Sequence, residues 1–159
     1  MNLKEILKVF GFILLCQMAG IIGSFFTFDS ISGWYSGLVK PEFSPPNWVF
    51  GPVWISLYTL MGISAYIVYK KGFEKKNVKL ALAFFGGQLV LNALWSILFF
   101  GLQSPLSALV CILALLFMII STIVLFWRIS RNAALLMVPY VLWVSFASIL
   151  NYFIWALNP

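Results

Sequence analysis

A chain of 159 residues that is 63% hydrophobic and 9% charged cannot hide its apolar surface as a water-soluble monomer, where roughly 25% charged residues are usual. Its net charge of +6 comes from ten Lys and Arg against four Asp and Glu, and those charges are clustered rather than scattered. The chain contains no histidine, which removes the commonest general base and the imidazole ligand of haem.

Between the charge clusters lie apolar runs at 9–28, 48–69, 80–101, 105–127 and 132–157, of 20, 22, 22, 23 and 26 residues. About 20 such residues in a helix cross a bilayer's hydrocarbon core. The expected fold is an all-α membrane protein, a five-transmembrane-helix bundle in one domain over 1–159. Nine of the ten basic residues fall before the first run, between the second and third, or after the fourth, with Lys40 alone on the other side. Basic residues mark the cytoplasmic face, so the N-terminus is expected inside and the C-terminus outside a prokaryotic cell membrane. The positive charge then reflects topology and the lipid bilayer as partner, and no nucleic-acid partner is expected. A secretory signal is the alternative for the first run, but its length exceeds the apolar core of about 7 to 15 residues that such signals carry. Cys16 and Cys111 fall at different depths, which disfavours a disulfide.

In chain order, the first span holds Ala19, Gly20, Gly23 and Ser24, small residues four apart that let helices approach closely in lipid. The connection 29–47 is the longest, and its Trp34, Tyr35, Phe43, Pro41, Pro45 and Pro46 suit a packed lid better than a disordered loop. Pro52 falls one turn into the second span, where it frees a carbonyl and is expected to kink the helix. Ala83 and Gly87 in the third span form another small pair, suited either to packing or to a homodimer contact. Pro139 lies in the cytoplasmic half of the fifth span.

Trp48, Trp127 and Trp155 lie near span ends, as interfacial tryptophans do, and Trp34 belongs to the lid. Trp54, Trp95 and Trp143 lie deeper. At about 1.5 Å per residue, Trp54 and Trp95 are each roughly 9 Å below the outer ends of their spans. Trp54 with Tyr58, Gln88 with Asn92 and Trp95, and Trp143 with Ala147, Leu150 and Asn151 keep helical spacing. Each of three spans thus carries a stripe of aromatic and amide groups, and amides facing lipid are costly. Either the stripes wall a pocket for a flat apolar ligand in the outer half of the bundle, or they are interhelical packing with the amides as glue. The three acidic residues beyond the N-terminal segment all fall in loops, no span contains an acid, and no metal-ligand spacing is evident. The chain is not expected to be a conventional enzyme, to need an obligatory cofactor, or to couple transport to protons.

Three motifs occur in order: WY..L.KP...PP.WVFGPVW..LY...G over 34–62, Q..LN..W....FG over 88–101, and PY..W..FA..LN...W over 139–155. Together they resemble the translocator protein family, also called tryptophan-rich sensory proteins or peripheral-type benzodiazepine receptors. The resemblance implies a five-helix bundle, often dimeric, whose pocket binds porphyrins and other flat hydrophobic molecules under the first loop. It implies ligand contacts at Trp54, Tyr58, Asn92, Trp95, Trp143, Phe146, Ala147, Leu150 and Asn151. Light-dependent breakdown of protoporphyrin IX in some members implies redox roles for Trp54 and Trp143. Two departures stand out. Cys111 replaces an acidic residue common in the fourth span, and no basic residue follows Tyr152, which disfavours sterol transport.

Overall fold

The computed structural model describes residues 2–159. The helices are α1 (Leu3–Ser32), α2 (Trp34–Gly37), α3 (Asn47–Lys70), α4 (Lys76–Ser96) extended by a π-helical turn (Ile97–Gly101), α5 (Pro105–Trp127), α6 (Arg131–Leu136) and α7 (Val138–Leu157). Five stretches are long and apolar enough to cross a bilayer: Leu3–Ser32, Asn47–Lys70, Lys76–Gly101, Pro105–Trp127 and Arg131–Leu157. No strand occurs among the described residues. The fold is an all-α bundle of an integral, multi-pass membrane protein. Large side chains such as Phe25, Phe28, Val110, Phe117 and Leu142 stay exposed on its outside, where lipid rather than water is their solvent.

Local chemistry sets the helix ends. Asn2 caps α1, its Oδ1 accepting the Glu5 N–H at 3.0 Å, and Glu5 sits in the first turn, where a carboxylate complements the helix dipole. Pro105 opens α5, at a position whose N–H has no helical partner anyway. α3 runs on through Pro52 without a break. The fifth span does break: α6 ends at Leu136 and α7 begins at Val138, just before Pro139, which cannot donate to the carbonyl one turn back. Met137 N–H turns to the Ala134 carbonyl at 3.0 Å. The Ala133 carbonyl thus loses its regular helical donor and is taken by the buried Ser64 hydroxyl of α3 at 2.7 Å.

α1 and α3 are antiparallel neighbours, tied at the lysine-rich end by a Glu5–Lys70 ion pair of 2.8 Å. Gly62 lets the backbones meet: a Cβ there would fall 2.5 Å from Ile13 Cα and 2.9 Å from the Phe12 carbonyl. α4 and α5 meet through stacked Phe85 and Phe126, 5.8 Å apart. The larger buried cluster, with Met61, Ile119, Tyr140 and Val144, fills the middle and the lysine-rich end. A smaller one, with Tyr35, Phe99, Ala108, Leu150 and Ile154, closes the opposite end.

The first connection differs from the sequence expectation. Helix continues through Asp29 to Ser32, and Trp34–Gly37 forms another turn, so only 38–46 is extended or irregular chain. Asp29 ends the uncharged run, yet a charge does not end a helix. The chain leaves helical geometry at Gly33, φ −98° and ψ −107°, and the prolines keep the following stretch extended.

Candidate functional site

A cavity of about 530 Å³ lies at the first-loop end of the bundle, between the two buried clusters. α3 contributes Phe50, Gly51, Trp54, Ile55 and Tyr58, with Trp54 stacked on Tyr58 at 5.4 Å and 26°. α7 contributes Trp143, Ala147, Leu150, Asn151 and Ile154, again at turn spacing. Phe50 packs edge-on against Trp143 at 5.8 Å, and Phe146 braces that indole at 5.7 Å. Among the described residues no charged side chain lines the cavity.

α1 supplies a wall that spacing alone presented as packing. Gln17, Gly20, Ser24, Thr27 and Ile31 line the cavity at intervals of three and four, on one helix face. Gly20 matters by lacking a side chain, since a Cβ there would lie 2.5 Å from the Tyr58 ring. Further down the same seam, Gln17 Nε2 donates to the Ile55 carbonyl at 3.0 Å and to Thr59 Oγ1 at 3.2 Å, closing α1 against α3. Above it, Ile21 and Phe28 of α1 and Trp48 and Ile55 of α3 line the cavity while remaining exposed on the outer surface. The rim therefore faces sideways, toward lipid.

The π-helical turn brings Phe99 and Phe100 together into the wall. Its i to i+5 bonding, with Leu102 N–H on the Ile97 carbonyl at 2.8 Å, adds a residue to the turn. Phe99 stacks beneath Trp95 at 5.3 Å, and Phe100 meets the same indole edge-on at 5.9 Å. Tyr35 of α2 packs on both phenylalanines, at 6.1 and 5.7 Å.

Behind the wall, polar groups join the helices. Tyr58 OH donates to Asn92 Oδ1, Asn92 Nδ2 donates to Tyr140 OH at 3.0 Å, and Tyr140 OH donates to Gln88 Oε1 at 2.8 Å. This chain links α3, α4 and α7. A second one runs from Trp95 Nε1 to Asn151 Oδ1 at 3.0 Å and from Asn151 Nδ2 to the Pro105 carbonyl at 2.9 Å. Among the described residues four buried polar atoms remain without a protein partner: Ser30 Oγ, Ser44 Oγ, Gln88 Nε2 and Trp143 Nε1. Of these residues only Trp143 lines the cavity; its indole nitrogen is covered, so a ligand reaches this donor by displacing a neighbouring side chain.

Of the residues selected from sequence, Trp54, Tyr58, Trp95, Trp143, Ala147, Leu150 and Asn151 line this one cavity. Four do not. Gln88 and Asn92 are buried in the hydrogen-bonded chain, Phe146 stands behind Trp143, and Trp34 packs on Phe99 at 5.6 Å. Tyr140, which sequence reasoning passed over, is wholly buried at the centre of the network. Its place one turn before Trp143 was the available signal. Of the small pair considered for a dimer contact, Ala83 is exposed but Gly87 faces Met118 of α5 in the same chain. Cys111 is buried with its thiol 3.5 Å from the Leu91 carbonyl.

The family model described as TspO/MBR matches residues 12–156. The chain belongs to the TspO/MBR family. Tryptophan-rich protein TspO of Archaeoglobus fulgidus is 51% identical over 155 residues, covering 97% of this chain and 99% of the relative. Human translocator protein is 40% identical over 150 residues, 93% of this chain and 88% of the relative. The tryptophan-rich sensory protein of Cereibacter sphaeroides is 36% identical over 125 residues, 79% and 77% of the two chains. TspO/MBR membership and the five apolar helices agree on a multi-pass membrane protein of the sensor and translocator type.

Proposed function

We propose that this protein is a membrane receptor or sensor that binds porphyrins of the protoporphyrin IX type, and similar flat hydrophobic molecules, in the aromatic cavity. One observation carries the reading: a charge-free cavity of about 530 Å³, walled by Trp54, Tyr58, Trp95 and Trp143. That volume is within the roughly 300 to 1,000 Å³ of small-molecule sites, and flat aromatic walls favour a flat ligand through buried area and stacking. The tetrapyrrole is a ligand and not a resident cofactor. With the lysine-rich end cytoplasmic, the cavity lies in the outer half of the bilayer.

Titration of the purified protein with protoporphyrin IX, followed by tryptophan quenching, tests this. Loss of one hydrogen bond in Trp143→Phe should weaken binding about 2- to 13-fold. An affinity unchanged in Trp54→Phe/Trp143→Phe refutes the assignment of the cavity.

A second reading, photo-oxidative degradation of the bound porphyrin, is favoured by Trp54 and Trp143 lining the same cavity. Illumination of the complex should then give a spectrally distinct product that Trp143→Phe does not form. Equal yield from the variant refutes that role.

A further inference from the structure

The stretch 38–46 contains no helix, and its internal backbone bonding is sparse, for example Ser44 N–H on the Pro41 carbonyl at 3.0 Å. What ties it to a remote element is Asn158, 119 positions away, just beyond α7. Asn158 Oδ1 accepts the Val39 N–H at 3.0 Å, and Nδ2 donates to the Val39 carbonyl at 2.9 Å. The same Nδ2 donates to the Ile154 carbonyl at 2.8 Å, so both of its hydrogens have acceptors. One side chain thus satisfies both backbone groups of one loop residue, much as a neighbouring strand would. The loop's aromatic anchor is also on α7, with Phe43 against Phe153 at 5.5 Å and Phe146 at 6.2 Å. Lys40, next to Val39, lies 4.5 Å from the centre of the Tyr35 ring, and Tyr35 is part of the cavity wall.

We propose that Asn158 is the latch of the first loop, a positioning residue that holds 38–46 on α7 and thereby keeps the Tyr35 wall in place over a bound ligand. The retention half of this rests on the porphyrin-binding reading, whereas the latch itself does not.

The test uses the full chain in phosphatidylcholine nanodiscs and reads two quantities, amide hydrogen exchange and the dissociation rate of protoporphyrin IX. In Asn158→Ala, loss of two neutral hydrogen bonds should speed exchange of the Ser44 amide roughly 10- to 30-fold, although Ser44 does not touch Asn158. Val39→Pro removes the loop's donor and leaves the Asn158–Ile154 bond in place. Leu38, at φ −73° and ψ 143°, already has the extended geometry that precedes proline. Both variants should loosen Ser44 and speed porphyrin dissociation about tenfold. Faster exchange confined to Val39 and the last turn of α7 overturns the latch. So does an effect of Asn158→Ala that Val39→Pro fails to reproduce, since it assigns the role to the α7 cap. A loosened loop with unchanged dissociation overturns the retention half. If protoporphyrin IX does not bind the unsubstituted protein, the porphyrin reading fails while the exchange measurement still decides the latch.

Discussion

Tyr140→Phe removes one oxygen from a fully buried side chain and leaves the packing unchanged. That oxygen accepts from Asn92 Nδ2 and donates to Gln88 Oε1, so its loss strands two more polar atoms beside Gln88 Nε2, which already has no partner. Interhelical hydrogen bonds inside membranes average about 0.6 kcal/mol and reach about 1.7. Two lost bonds therefore predict destabilisation of about 1 to 3 kcal/mol. Reversible unfolding in mixed micelles, monitored by far-UV circular dichroism, measures it.

Gln88→Leu sharpens the argument, because it deletes the unpartnered Nε2 together with the acceptor. On a wild-type background it strands the Tyr140 hydroxyl hydrogen. On a Tyr140→Phe background it strands nothing new, and removing both partners of a bond is milder than removing one. The double variant should thus be more stable than the sum of the single effects requires, by roughly 0.5 to 2 kcal/mol of coupling. Additive effects, or a Tyr140→Phe variant as stable as wild type, would refute the view that this chain of bonds braces three helices.

Three further outcomes follow from the packing. Gly62→Ala pushes a Cβ into the backbone of Ile13 and Phe12 and should cost about 1 to 3 kcal/mol or more, read as lowered thermal stability in detergent. Ser64→Ala leaves the Ala133 carbonyl without its hydroxyl donor and should cost about 1 kcal/mol, measured by the same unfolding assay, with porphyrin affinity unchanged. If α4 forms a homodimer contact, Ala83→Trp should abolish cross-linked dimers in nanodiscs, and an unchanged cross-linking pattern argues against that face.

The spans were legible because lipid imposes one demand on every residue that touches it, so long uncharged runs survive in the sequence. The ends of helices were less so. Asp29 marks where the chain leaves hydrocarbon, whereas α1 stops only at Gly33, a backbone event that charge does not report. Trp54, Tyr58, Trp95, Trp143 and Asn151 were legible as wall residues because bulky groups at turn spacing share a helix face. Gly20 and Gly23 line the same cavity by having no side chain, a contribution that small-residue spacing cannot distinguish from helix packing. Phe99 and Phe100 were hidden for another reason. A π-helical turn changes the period, so a count by 3.6 does not bring both to one face.

Asn92 and Gln88 separate two uses of a buried amide that spacing treats alike. A membrane amide needs partners, and either a ligand or a neighbouring helix satisfies that need. The hydroxyls of Tyr58 and Tyr140 decide for the helix: they occupy both functional ends of the Asn92 amide and one end of Gln88. Trp95 Nε1 is likewise engaged, by Asn151. Trp143 is therefore the wall indole whose buried N–H is left unpartnered. On the proposed reading, such a site selects by flatness and buried apolar area, with one hydrogen bond to set orientation. Apolar contacts discriminate weakly between similar molecules, whereas polar groups awaiting a partner discriminate strongly. The cavity should accordingly accept several planar ligands at comparable affinity and prefer, by the 2- to 13-fold worth of one hydrogen bond, those that present an acceptor to Trp143. A matched pair of planar ligands differing only in that acceptor measures this preference directly, and its persistence in Trp143→Phe would refute the assignment.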